Sequence, residues 1–272
     1  MIPKSRDDAL IAIKTCAQAT GDRFDLTACA IACALHEDPD REIGHVLDVL
    51  GSITARVHDK IPNSPQSFVQ LVYGDLGFGG NGCDYDDPAS ADLLKILLTR
   101  KGLPIGIGHV WRLVARIANL PLYGTDTPGH FIMRYETDTG PVFLDPYEGG
   151  AILDGDNLAD LARRAGRESF TDPMMRAVSD RVMAVRLQTN LVSRARASGD
   201  IEAWVRGAQR RAILAPDNHQ VALDYSQAAE AAGQLKVALQ WSQRARALQS
   251  GTTSSPLAQS DIRSQTLKHM LN

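Results

Sequence analysis

Residues 99–150 read TRKGLPIGIGHVWRLVARIANLPLYGTDTPGHFIMRYETDTGPVFLDPYEGG, and no other stretch limits the fold so tightly. Pro104 suits the first turn of a helix, where its missing N–H costs nothing. The pattern therefore predicts a helix over 105–119, weakened by Gly106 and Gly108, which also let another backbone come close. The segments LPLYGT, GHFIMRYE and PVFLDPY then carry the β-branched and aromatic content of strands, the last two joined by the turn TDTG. A helix followed by an antiparallel hairpin is expected here, and it is the one convincing sheet in the sequence.

The rest of the chain reads as helix. Residues 6–20 and 25–36 have apolar residues at helical spacing, and a third helix, REIGHVLDVLGSITARVHD, sets Ile43, Val46, Leu47, Leu50, Ile53 and Val57 on one stripe. SFVQLVYGDLGF is a further helix, stopped by the glycines of GFGGNGCDYDDP, a loop rich in turn residues. ASADLLKILLTRK reads as a short buried helix with Ser90 or Asp92 near its start and Gly102 at its end. Beyond DGDNLADLARRAGRE a repeat appears: Gly199 and Gly233 are 34 residues apart, the period of a tetratricopeptide helical hairpin. Ala238 and Ala245 fall where that repeat needs small residues, whereas Trp204 and Arg211 occupy the same places in the first copy. Two helix pairs are too few for a free-standing solenoid, so they are expected to pack on the domain before them. The expected organisation is an N-terminal helical bundle over 1–62 packed on the core, the core itself over 63–170, helical repeats over 171–250, and a linker with a terminal helix over 251–272.

Composition narrows the function classes. A formal net charge of −3 over 272 residues, with basic residues scattered, leaves no footprint for nucleic acid. The N-terminus meets charge before any apolar run of signal-peptide length, and no stretch approaches a membrane span, so a cytoplasmic protein without membrane contact is expected. Cys16, Cys29, Cys33 and Cys83 form no CxxC pair, and Cys29 and Cys33 read as packed core thiols. Neither a metal nor a cofactor is expected.

A thiol hydrolase or transferase needs a cysteine at a helix N-terminus, a histidine to move its proton and a carboxylate or amide to hold the imidazole. His130 and Asp145 are expected on adjacent strands, close to opposite one another, where a side-chain hydrogen bond is reasonable. Each also has a plain structural reading, His130 as a turn residue capping backbone and Asp145, before Pro146, as a turn former. Cys83 is a poor nucleophile in sequence terms, because Asp84, Asp86 and Asp87 crowd it and anions disfavour thiolate. The same three aspartates lack calcium-loop spacing and read as a solvated turn. His109, Trp111 and Arg112 read as helix-packing residues. Arg134, on the same strand face as His130 by the period of two, is expected to bind a carboxylate or to pair with Glu136.

The run from about residue 78 to 153 resembles the transglutaminase-like domain of the bacterial SirB family (its first member), in which a GN...Y.DP loop, R.G.PI, PGHF..R and DP..GG recur in this order. The helical N-terminus and the repeat-like C-terminus fit that family's layout too. The resemblance implies an α+β, mostly helical fold: a papain/transglutaminase-like helix-plus-antiparallel-sheet core followed by tetratricopeptide-like helical hairpins. It also implies that Gly102 stands on the glycine, and Pro104 on the cysteine, of the superfamily's Gly-x-Cys step, with His130 and Asp145 on the other two members of the triad. Asn81 and Tyr85 belong to the recurring loop and, with Arg134, are the candidate binding residues.

Proline supplies no nucleophile, so papain-type acyl transfer through position 104 is excluded. The expected function is a non-catalytic protein that binds a peptide or protein partner through a degenerate cleft and its helical repeats. The alternative is an unassigned hydrolase or transferase using His130 and Asp145 as a general base pair. The sequence names neither the partner nor the oligomeric state.

Overall fold

The computed structural model describes residues 2–80, 87–127 and 129–250. Helices α1 (Arg6–Gln18), α2 (Leu26–Glu37) and α3 (Gly44–Asp59) make the N-terminal layer. Ser5 caps α1 through the Asp8 amide and Asp25 caps α2 through the Ala28 amide, each satisfying a first-turn N–H that has no partner within the helix. Val46, Ile53 and Val57 of the expected α3 stripe are buried, but Leu47 is 41% exposed, so the buried face is narrower than its apolar pattern. Cys29 and Cys33 lie buried in a cluster with Ile13, Phe24 and Leu214, as packed core thiols should.

A short α4 (Pro65–Val69) passes directly into a π-helical turn at Gln70–Asp75, where the sequence predicted one continuous helix. Helix α5 (Leu93–Thr99) starts at Asp92, whose carboxylate accepts from the Leu94 and Lys95 amides. It ends at Arg100, in the left-handed region at φ 66°, and not at Gly102.

Helix α6 (Pro104–Ile117) is the centre of the molecule, buried at eleven of its fourteen residues, with Pro104 in its first turn. Its glycines admit side chains where the sequence suggested a neighbouring backbone. A Cβ on Gly106 would stand 2.3 Å from Ile96 Cδ1, and one on Gly108 would stand 2.2 Å from Phe131 Cε1. Against α6 lies a five-stranded antiparallel sheet, order β4-β3-β2-β1-β5, made of β1 (Leu122–Thr125), β2 (Met133–Thr137), β3 (Gly140–Asp145), β4 (Ala151–Leu153) and β5 (Ala177–Val178). The two outer strands were absent from the sequence expectation because three- and two-residue strands carry no alternation to read. The β2–β3 register, Met133↔Leu144 to Thr137↔Gly140, closes through the expected turn.

Helices α7 (Gly155–Arg164) and α8 (Asp172–Met175) connect the sheet to two consecutive helix pairs, α9 (Asp180–Ser198) with α10 (Ile201–Leu214) and α11 (His219–Ala231) with α12 (Leu235–Ser250). Gly199 and Gly233, the residues that marked the repeat, sit between the members of each pair. Ala238 and Ala245 are buried where helices meet, while Arg211 is accommodated by an ion pair to Asp224 at 2.6 Å. The expected linker and terminal helix over 251–272 lie outside the described residues. Among the described residues no helix is long and apolar enough to cross a membrane.

A buried ionic clamp joins these layers. Asp180, the first residue of α9 and 5% exposed, accepts from Arg112 Nε at 2.7 Å and from Arg116 Nη1 at 2.7 Å. Arg112 also donates to the Leu122 carbonyl of β1, and Arg116 to the Phe24 carbonyl ahead of α2. One carboxylate thus ties α6, β1, α9 and the N-terminal layer together. Asp180→Ala leaves two guanidinium groups without their carboxylate, and urea denaturation should show a loss of about 3–5 kcal/mol; a change below about 1 kcal/mol would dissociate the clamp from stability.

Burial also fixes the charge of His109 on α6. Its Nδ1–H donates to the Ile105 carbonyl at 2.7 Å, and burial lowers its pKa from 6.5 to about 4, with Asp180 pulling the other way. A folded-state value below the unfolded one means the unfolded chain takes the proton first as pH falls. The stabilisation is therefore complete above about pH 6.5 and is lost between there and about pH 4, by about 3 kcal/mol in all. The urea midpoint should fall across this window, and the fall should be shallower in His109→Gln.

Candidate functional site

Three segments meet at the amino end of α6. Residues 103–105 form one wall of a cavity of about 210 Å³, residues 129–131 a second, and Arg186 and Asn190 of α9 a third. Pro104 and His130, predicted to share a cleft, do share one.

His130 lies in the bend three residues ahead of β2, not on the strand itself, so it is not the cross-strand neighbour of Asp145. Its ring nevertheless reaches back to β3, where Nε2 stands 2.6 Å from Asp145 Oδ2. Asp145 is 4% exposed. Its Oδ1 accepts from the amides of Tyr147 at 2.9 Å and Glu148 at 3.2 Å, which builds the turn after β3. The two readings of this aspartate are both realised, since one oxygen forms the turn and the other holds the imidazole. A carboxylate can only accept, so Nε2 carries the hydrogen of this bond and Nδ1 is left without a partner among the described residues.

The bend is fixed from three directions. Phe131 inserts its ring against Gly108 of α6 and Gly124 of β1, where Cβ atoms would stand 2.2 Å and 2.9 Å from ring carbons. The Thr125 and Thr127 hydroxyls lie 2.9 Å apart and stand 3.0 Å and 3.1 Å from the carbonyls of Ile132 and Met174, so their two hydrogens serve two of these three contacts. Arg186 donates from Nη1 to the Thr125 carbonyl at 2.7 Å and from Nη2 to the Thr127 carbonyl at 3.1 Å. Asn190 donates to the Arg186 carbonyl one turn earlier on α9. Neither Arg186 nor Asn190 was found from the sequence, because both lie outside every motif and reach the cavity only when α9 docks.

The other candidates fall elsewhere. Arg134 is on β2, paired with Glu136 at 2.6 Å and donating to the Met175 carbonyl, and it does not line the cavity. Asn81 and Tyr85 lie outside the described residues, as do Cys83, Asp84 and Asp86. Asp87 caps the turn at Pro88–Ala91 through the Ala89 amide. Among the described residues no cluster of three or more His, Cys, Asp and Glu side chains is arranged to hold a metal.

A second cavity, of about 260 Å³, opens between α2, α5, α9 and α10. Several charged residues at it are paired: Glu37 meets Arg206 at 2.6 Å and Arg210 at 2.7 Å, and Arg41 meets Asp92 at 2.6 Å. Next to Arg210, burial and that guanidinium lower the pKa of His36 to about 4. These pairs join the elements around the cavity, whereas Pro104 and His130 line the smaller one.

The model of the transglutaminase-like superfamily matches residues 44–189, more than half of the chain. The chain belongs to the transglutaminase-like superfamily. The matched span starts with α3 and ends within α9, so it takes in the helix carrying Asp180 and Arg186 and runs wider than the core expected over 63–170. Among similar proteins, a UPF0162 protein of Xylella fastidiosa is 32% identical over 145 residues, 52% of this chain and 50% of its own length. Human F-box only protein 21 is 31% identical over 78 residues, 29% of this chain and 12% of its own. This transglutaminase-like chain thus spans about half the length of the curated relatives that head the comparison. A solved structure of menin superposes with a TM-score of 0.44 at 10% identity over 99% of this chain and 76% of that one, a likeness too distant to carry an argument.

In the transglutaminase-like site the first-turn position of α6 faces the cavity that His130 lines. A thiol placed there should be activated, since a helix N-terminus and a neighbouring imidazole both favour thiolate. Pro104→Cys should react with iodoacetamide at pH 7 faster than free cysteine, and the double variant with His130→Ala should lose the excess. Equal rates in both variants would separate position 104 from His130.

Proposed function

We propose that this is a non-catalytic transglutaminase-like protein of the SirB type, which binds a peptide or protein partner in the cleft between Pro104 and His130. The reading is supported by one observation, that Pro104 and His130 line the same cavity, taken with the resemblance that sets Pro104 on the superfamily's cysteine. A pyrrolidine ring has no nucleophilic atom, so the cleft keeps its shape and its histidine and lacks the group that would form an acyl intermediate. The helix pairs α9–α10 and α11–α12, with the 34-residue spacing of tetratricopeptide repeats, supply a second binding face on the same cytoplasmic protein.

A second reading has its own support. The 2.6 Å bond from His130 to Asp145 is the geometry that orients an imidazole as a general base, and such a pair can activate water or a bound thiol. One experiment separates the two. Peptides selected by display against the full chain should lose binding to Asn190→Trp, which fills the cavity from α9, and should be recovered chemically intact by mass spectrometry. Peptides that bind the plugged variant equally well would remove the cleft from the reading, and cleavage or transfer abolished by His130→Ala would establish the enzyme instead.

A further inference from the structure

The reading of the cleft as a binding site leaves one of its walls unexplained. Arg186 is partly buried, lines the cavity with Pro104 and His130, and stacks its guanidinium 5.2 Å from the Phe131 ring centroid. Its hydrogen bonds go to the carbonyls of Thr125 and Thr127. Among the described residues no carboxylate bonds to it, whereas Arg112 and Arg210, buried elsewhere, each meet a carboxylate at 2.7 Å. The negative charges nearby are otherwise placed. Asp126 is exposed and acts on Arg186 only at a distance, and both oxygens of Asp145 are taken by His130 and by the turn amides. Burial accordingly holds the guanidinium below the ordinary arginine value. A partly desolvated cation whose hydrogen bonds among the described residues go to carbonyls and not to a carboxylate is a strong receptor for an anion, and the planar guanidinium matches a carboxylate in particular.

We propose that the cavity takes the C-terminal carboxylate of a peptide, held between Arg186 and His130. This rests on the reading of the cleft as a peptide-binding site and names the end of the peptide that enters. The size agrees: about 210 Å³ is below the range of drug-sized pockets and admits a terminal residue, not a long segment. His130 contributes from Nδ1, which in the imidazolium form donates, with Asp145 balancing the added charge. The first turn of α6 closes the third side, where the helix dipole also favours negative charge. The resemblance sets Pro104 on the superfamily's cysteine, and the groups that would face a thiolate there are the ones that would hold an anion brought by the occupant.

The test uses the full chain with ¹⁵N-labelled histidine rings. N-acetylglycine, its neutral analogue N-acetylglycinamide and inorganic phosphate are each titrated while the His130 ring signals are followed by NMR. N-acetylglycine should shift them saturably and the amide about tenfold more weakly, and phosphate should not match the acid. Arg186→Gln should erase the difference between acid and amide, and Arg186→Lys should restore part of it. Equal binding of acid and amide, no shift with either, or phosphate matching the acid would each overturn the assignment. The comparison of acid with amide is made on the unsubstituted chain, so any disturbance of the Thr125–Thr127 loop by a variant does not decide it. The two proposals fail separately: display-selected peptides that bind as well when C-terminally amidated overturn the carboxylate and keep the peptide cleft, whereas saturable N-acetylglycine binding with no peptide selected keeps the carboxylate site and removes the broader reading.

Discussion

Asp180 holds the architecture to a single arrangement. Two arginines one turn apart on α6 converge on its carboxylate, and the same arginines continue to backbone carbonyls of β1 and of the segment before α2. A buried carboxylate is costly to desolvate and is tolerated only when its partners are in place. The sheet, the central helix and the first C-terminal helix are therefore admissible only in one mutual position. That position brings Arg186 and Asn190, farther along α9, to the mouth of the cavity at the start of α6.

The cleft follows from this arrangement. His130 sits in a bend that depends on Phe131 filling the gap left by two glycines, on two threonine hydroxyls and on the Arg186 guanidinium. Asp145 serves the turn with one oxygen and the imidazole with the other. Pro104 begins α6 without needing the N–H it lacks, so the helix accepts proline there at no structural cost.

Much of this was legible in the sequence, and the illegible parts share a cause. The central helix and the β2–β3 hairpin followed from residue types at short spacing, whereas the placing of Pro104 beside His130 was what the family resemblance implied. His130 was expected on a strand because GHFIMRYE has strand composition, but the ladder begins only at Met133, and the bend exists because Phe131 is drawn into the glycine gap. Strands of two or three residues, the π-turn at Gln70–Asp75 and the exposure of Leu47 are set by neighbours that local pattern does not include. Arg112 looked like an ordinary helix residue and is half of the central clamp, while Arg186 carried no signal at all. Both act through contacts made across the fold, which no spacing rule encodes.

Helix α9 carries the Asp180 clamp at its start and Arg186 two turns later, with the helix pairs continuing from its far end. The cavity and the docking of the C-terminal helices are thereby parts of one equilibrium. An occupant that bonds Arg186 adds its binding free energy to the docked position of α9, and anything that loosens α9 weakens the occupant by the same amount. Occupancy of the cavity and docking of the helix pairs would in this sense be reciprocal, coupled through one helix.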